Sequence, residues 1–158
     1  MNKVKILILM ITHLAAIGGG FLFGIYLLPI LTAPESPAAA VVRSVAETSR
    51  FTGEFRRDLM DSDALHYGEG TLFVGPDMIA FEGQLAPGPD YRLYLSKEFI
   101  ETESAFEALK HSLVEVGHVR TFENFTVAVP DSIDPADFTT AIIWCESFGQ
   151  FITAAAYQ

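Results

Sequence analysis

One cysteine, Cys145, occurs among 158 residues. That excludes a disulfide within the chain and any zinc or iron–sulfur site built from several thiolates. Positive charge is also scarce: ten Lys and Arg stand against 20 Asp and Glu, a formal net charge of −10. Affinity for nucleic acid rests on cations that neutralise phosphates, so nucleic acid is excluded as a partner. The chain contains no G-x-S-x-G, phosphate-binding glycine loop, H-E-x-x-H or C-x-x-C-H. Hydrolytic, nucleotide-driven and covalently haem-bearing functions therefore have no support, and whether the protein is an enzyme stays open. There is no internal repeat and no low-complexity tail, and the length suits one domain of ordinary size.

What is abundant is apolar sequence. Half of the residues are hydrophobic and the mean hydropathy is +0.31. The excess sits at the front, where the 28 residues from Ile6 to Ala33 carry no formal charge. A helix over Ile6–Leu28 is about 34 Å long, enough to cross a hydrocarbon core of ~30 Å. Lys3 and Lys5 precede this run; all 20 acidic and the other eight basic residues follow it, leaving the rest of the chain at −12. The positive-inside rule then predicts a cytoplasmic segment 1–5, a single-pass membrane anchor at 6–32 and an extracytoplasmic C-terminal domain, periplasmic in a Gram-negative cell. A cleaved signal peptide is the competing reading, but its apolar core would span only ~7–15 residues. The small-residue triplet Ala38-Ala39-Ala40 also lies beyond Pro34 and Pro37. Gly20 and Gly24 form a GxxxG pair, a spacing that lets two membrane helices approach and is also common in single spans.

Residues 33–50 read as a linker, because Pro34 and Pro37 deny helix and restrict their neighbours. Beyond it, short alternating runs are divided by turn residues, the pattern of an all-β domain over 51–158. Phe51, Gly53 and Phe55 alternate with Thr52, Glu54 and Arg56, and Thr71–Val74 returns through Gly75-Pro76-Asp77 as Met78–Phe81. Pro87-Gly88-Pro89-Asp90 is a hard turn before Tyr91–Leu95, and further strands are predicted at 113–119, 125–129, 141–145 and 151–155. One short helix interrupts them, with Ser104 and Glu107 spaced as a capping box. The expected fold is an antiparallel β-sandwich or flattened barrel of about eight strands with one short helix, preceded by the membrane helix.

Cys145 is the first candidate for chemistry. On a strand, Ala141, Ile143 and Cys145 share one face, and Ile142, Trp144 and Glu146 share the other. The Cys145 face looks internal, and burial makes a thiol inert unless a cation or helix N-terminus stands beside it. His66 opens His66-Tyr67-Gly68-Glu69-Gly70, where two glycines imply a turn or a closely approached backbone. His111 and His118 lack metal-binding spacing; His111, near the end of the helix, reads as a surface residue, and His118, at a strand start, is uninformative. Asp58, Asp61 and Asp63 crowd one loop but lack the glycine and terminal Glu of a calcium loop, so a solvated acidic loop is expected.

Three stretches together carry a resemblance. His66-Tyr67-Gly68-Glu69-Gly70 before a hairpin, Gly88-Pro89-Asp90-Tyr91-Arg92-Leu93-Tyr94-Leu95-Ser96, and Ile142-Ile143-Trp144-Cys145-Glu146-Ser147-Phe148 resemble the DM-thirteen domain family across about 51–157. The segment Thr121–Pro130 matches the family pattern less well. The resemblance implies a β-rich extracytoplasmic module, found alone in bacteria and beside electron-transfer domains in animals, with a redox role for Cys145. Two readings remain open. One is a membrane-anchored redox or electron-transfer module, with Cys145 as redox thiol or metal ligand, His66 as its neighbour, and copper or iron as the metal suited to one sulfur and one imidazole. Such a module needs a redox partner, since one thiol has no internal dithiol cycle. The other is a non-catalytic structural or binding module that presents a β surface to an envelope protein.

Overall fold

Alternating apolar residues need two opposed faces to bury, and the outer domain meets that need with two sheets. The computed structural model describes residues 2–158. Helix α1 (Lys3–Thr32) leads into α2 (Ala39–Thr48), then β1 (Phe51–Phe55), β2 (Gly68–Val74), β3 (Met78–Leu85) and β4 (Tyr91–Ser96). Helix α3 (Glu103–Leu109) and a short 3-10 turn precede β5 (Val114–Val119), β6 (Phe125–Ala128), β7 (Thr140–Cys145) and β8 (Gln150–Ala156). The strands form two four-stranded antiparallel sheets, ordered β1-β2-β3-β6 and β5-β4-β7-β8. The β2–β3 hairpin turns through Gly75–Asp77 as the sequence predicts, pairing Val74 with Ile79.

The main core lies between the sheets. Phe55, Leu72, Ile79 and Phe81 of the first sheet meet Leu93, Leu95, Ile143 and Ile152 of the second, all at most 1% exposed. Phe81 is the hub of an aromatic row, 5.2 Å from Phe55 and 5.1 Å from Phe125 between ring centroids. Such pairs contribute about 0.5–1.5 kcal/mol each beyond the area they bury. The second sheet also buries its outer face: Ile142, Trp144, Phe151 and Ala154 pack under Phe106 of α3, with Leu59 and Ile100 closing the sides. Strand β7 is consequently buried along its whole length. An irregularity between Ile143 and Trp144 interrupts the two-residue alternation of β8, so that Ile152 faces the inner core while Ala154, two positions on, faces the outer one.

Two expectations need correction. The domain is not all-β with one helix, because the expected linker 33–50 contains a second one, α2. Pro34 and Pro37 stop short of that segment, and Val42 gives it an apolar contact, fully buried against the fold. The capping residue of α3 is Thr102 rather than Ser104: the Thr102 hydroxyl accepts from the Ala105 amide at 3.2 Å, and Ser104 lies inside the helix. Two hydroxyls at alternate positions both offered a cap, and the chain entering from Ile100, which is buried, decides which one is used.

Helix α2 is thus part of the folded unit. Val42→Ala should lower unfolding stability by about 1.5–2 kcal/mol, from ~0.8 kcal/mol per buried methylene. Val41→Ala, at a position 48% exposed, should change it by less than about 0.5 kcal/mol. Urea denaturation of the two variants checks this, and equal effects would remove α2 from the domain.

Candidate functional site

The two stretches that flank Cys145 meet through Asp90. Strand β4 pairs with β7 so that Tyr91 stands opposite Cys145. Just before that pair, the Asp90 carbonyl accepts the Glu146 amide at 3.0 Å. The Asp90 carboxylate accepts the Ser147 hydroxyl at 3.2 Å and the Arg92 guanidinium at 3.1 Å. Arg92 continues to Glu115 at 2.7 Å on β5. One acidic side chain therefore ties the end of β7 to the start of β4 and holds the 145–148 turn in place.

Cys145 is 3% exposed and belongs to the core between the sheets. Desolvation by burial raises its thiol pKa above 9.0; the backbone amides of Phe148, Asp90 and Ser147 favour the thiolate but offset only part of that, and the Asp90 charge adds to the rise. The thiol is therefore protonated at neutral pH. No cationic side chain acts on it among the described residues. Yet the sulfur is not sealed away. Cys145 lines an apolar cavity of about 540 Å³ that is walled on one side by the Pro87–Pro89 turn and on the other by Leu22, Ile25 and Tyr26 of α1. Tyr91 lines it too; burial, then its proximity to Cys145, keeps that phenol neutral, and its hydroxyl donates to the Ala86 carbonyl at 2.8 Å.

The structure brings His66 to this same cavity. Its ring Nδ1 lies 3.0 Å from Asp63, and the Asp63 carboxylate also accepts the backbone amides of Leu65 and His66. No hydrogen bond links His66 with Cys145 among the described residues. The two glycines of the His66–Gly70 run serve the backbone. Gly70 has φ +141 and faces Gly83 across the ladder, where a side chain would strike Gly83 Cα at 2.7 Å. At Gly68 a Cβ would meet Thr153 at 2.5 Å and Leu85 at 2.9 Å. His111 and His118 are exposed. Of the acidic loop, Asp61 accepts the Glu103 amide at 2.7 Å at the start of α3, Asp63 holds His66, and Asp58 is exposed 3.6 Å from Arg56. No group of three His, Cys, Asp or Glu side chains converges anywhere among the described residues.

Sequence reasoning missed the polar and aromatic cluster on the outer face. Trp144 stacks on Phe106 at 3.9 Å with an interplanar angle of 10°, and Tyr94 meets Phe106 edge-on at 5.2 Å. Glu146 accepts from Lys110 at 3.0 Å and from the Tyr94 hydroxyl through a short hydrogen bond. Desolvation pushes the Glu146 carboxyl up, but Tyr94 and Lys110 together outweigh it and hold the group below its ordinary 4.5. The only trace of this in the sequence was Trp144 and Glu146 sharing one face of the predicted strand.

A family model described as "Electron transfer DM13" matches residues 54–157, close to the span over which the three motif stretches resemble that family. No curated protein matches the chain. No solved structure matches it.

The electrostatics of Cys145 have a direct readout. Alkylation of the native thiol should still be accelerating as pH rises through 9.0, because burial holds the thiolate back. Stopped-flow labelling with a small neutral maleimide across pH 6–10 measures it, and a plateau already reached below neutrality would mean an activated thiolate.

Proposed function

The chain belongs to the electron-transfer DM13 family, and on that premise we propose that it is a membrane-anchored, extracytoplasmic redox module whose single thiol, Cys145, exchanges electrons. The observation that carries this reading is the cavity that reaches Cys145. A cysteine serving only as core filler needs no access, whereas this one meets a cavity of about 540 Å³ that also touches His66. The anchor rests on α1, a 30-residue helix of mean hydropathy 2.2 over its most apolar window with no side chain buried. The orientation rests on Lys3 and Lys5 at its start and the acidic domain at its end.

With one cysteine the domain has no internal dithiol couple, so its redox partner supplies a second thiol or a bound electron acceptor. A copper or iron centre is not part of the proposal. Cys145 and His66 are two donors, Nδ1 of His66 is already engaged by Asp63, and no third ligand converges on them among the described residues. A second reading, a binding module for another envelope protein, is favoured by the raised thiol pKa and the lack of a cation acting on the sulfur.

Two measurements decide. Alkaline phosphatase fused after Gln158 should be active in cells, and an inactive fusion beside an active cytoplasmic reporter would reverse the topology. With glutathione disulfide supplying the partner sulfur, the full chain should form a mixed disulfide at Cys145 and release one glutathione thiol, an exchange that Cys145→Ala abolishes while the melting temperature changes little. Absence of exchange in the folded unmutated chain, with Cys145→Ser costing about 1–3 kcal/mol through an unpaired buried hydroxyl, would establish the second reading instead.

A further inference from the structure

Helix α1 is longer than a membrane requires. Its 30 residues extend about 45 Å, whereas ~20 residues cross a hydrocarbon core of ~30 Å. With Lys3 and Lys5 at one headgroup layer, the surplus third falls at the opposite one, and it begins near Leu22. That third is the part that lies against the folded domain: Leu22, Ile25 and Tyr26 wall the Cys145 cavity, and Leu28, Pro29 and Thr32 border a neighbouring cleft with Pro89, Ser147 and Phe148. Tyr26 sits where an aromatic residue with a polar tip is favoured, at the boundary of the core. Leu65 and Phe148 also line the Cys145 cavity, yet they are 58% and 52% exposed. On the membrane-anchored reading, the mouth of the cavity therefore falls at the level of the lipid headgroups.

Its chemistry selects the occupant. The volume of about 540 Å³ is within the ~300–1,000 Å³ of small-molecule sites, and its wall is mostly apolar as such sites are. No Lys, Arg, Asp or Glu lines it, so a phosphate or carboxylate head would be desolvated without a counter-charge. An acidic domain at −12 repels anions further. Its lining includes the Cys145 thiol, the His66 ring with Nε2 left over from the Asp63 contact, and Gln150, whose amide nitrogen is engaged by the Gly149 carbonyl and whose oxygen is not; of its two phenols, Tyr91 is engaged by the Ala86 carbonyl and Tyr26 lies on the anchor side.

We propose that this cavity admits a neutral, single-chain amphiphile from the bilayer, its uncharged head towards Cys145, His66 and Gln150 and its chain along Leu22 and Ile25. The proposal rests on the membrane-anchored reading and is independent of any redox role for Cys145. Because Cys145 is the only thiol in the chain, labelling reports on this site alone. The full chain is placed in phosphatidylcholine nanodiscs at pH 9 and labelled with N-ethylmaleimide, with monoolein or oleate added to the bilayer. Monoolein should slow labelling about fivefold when present at about four times its dissociation constant, and oleate should have little effect. Ile25→Trp, which fills the cavity from the anchor side, should abolish the difference, and Ile25→Val should keep it. A chain that does not enter nanodiscs overturns the anchored reading together with this proposal. A chain that enters them but labels at the same rate with either lipid, is slowed equally by both, or does not label while folded overturns the proposal alone.

Discussion

Strand β7 is covered on both faces, and the arrangement of everything around it depends on that. Its inner residues, Ala141, Ile143 and Cys145, fill the space between the sheets, while Ile142 and Trp144 fill the space beneath α3. A strand in this position can present no side chain to water from its middle, so chemistry can occur only where it ends. Cys145 is the last residue of β7, and Glu146 begins the turn that leaves it. Both lie at an end of the sandwich where the chain must turn, and a cavity reaches the core there.

Asp90 makes that end rigid. An acidic side chain bridging Ser147 and Arg92, with its own carbonyl held by the Glu146 amide, couples the turn after β7 to the turn before β4. The same arrangement points backbone amides at the Cys145 sulfur while burial opposes ionisation. The result is a thiol that is neutral at rest and borders a mostly apolar cavity. Such a thiol suits chemistry with an apolar or neutral reactant better than nucleophilic attack in water.

The outer face answers a different need. Covering Trp144 with α3 leaves a seam at the helix end, and the Lys110–Glu146–Tyr94 set closes it with charge-assisted hydrogen bonds. Glu146 thereby belongs to both halves of the site region. Its backbone amide secures Asp90 on the Cys145 side, and its carboxylate secures α3 on the Trp144 side.

The apolar run at the front, the strand succession and the two faces of β7 were legible from residue order, because hydropathy and the two-residue period of a strand are local properties. So was the hard turn at Pro87–Asp90, and with it the resemblance that the family match bears out. The second helix was overlooked although Val42, Val45 and Ala46 recur at helical spacing, because Pro34 and Pro37 stand just before this ten-residue segment; its place is set by Val42 finding the sandwich. The choice of Thr102 over Ser104 as the cap was equally hidden, since it depends on the direction from which the buried Ile100 delivers the chain. That His66 and Cys145, 79 positions apart, border one cavity, and that the anchor supplies its other wall, follows from strand pairing and from where α1 comes to rest. The sequence alone determined which residues carry soft donors and which segment is apolar enough to span a bilayer. Only the tertiary structure decided which of them meet, because contacts between distant segments are set by packing that no local period encodes.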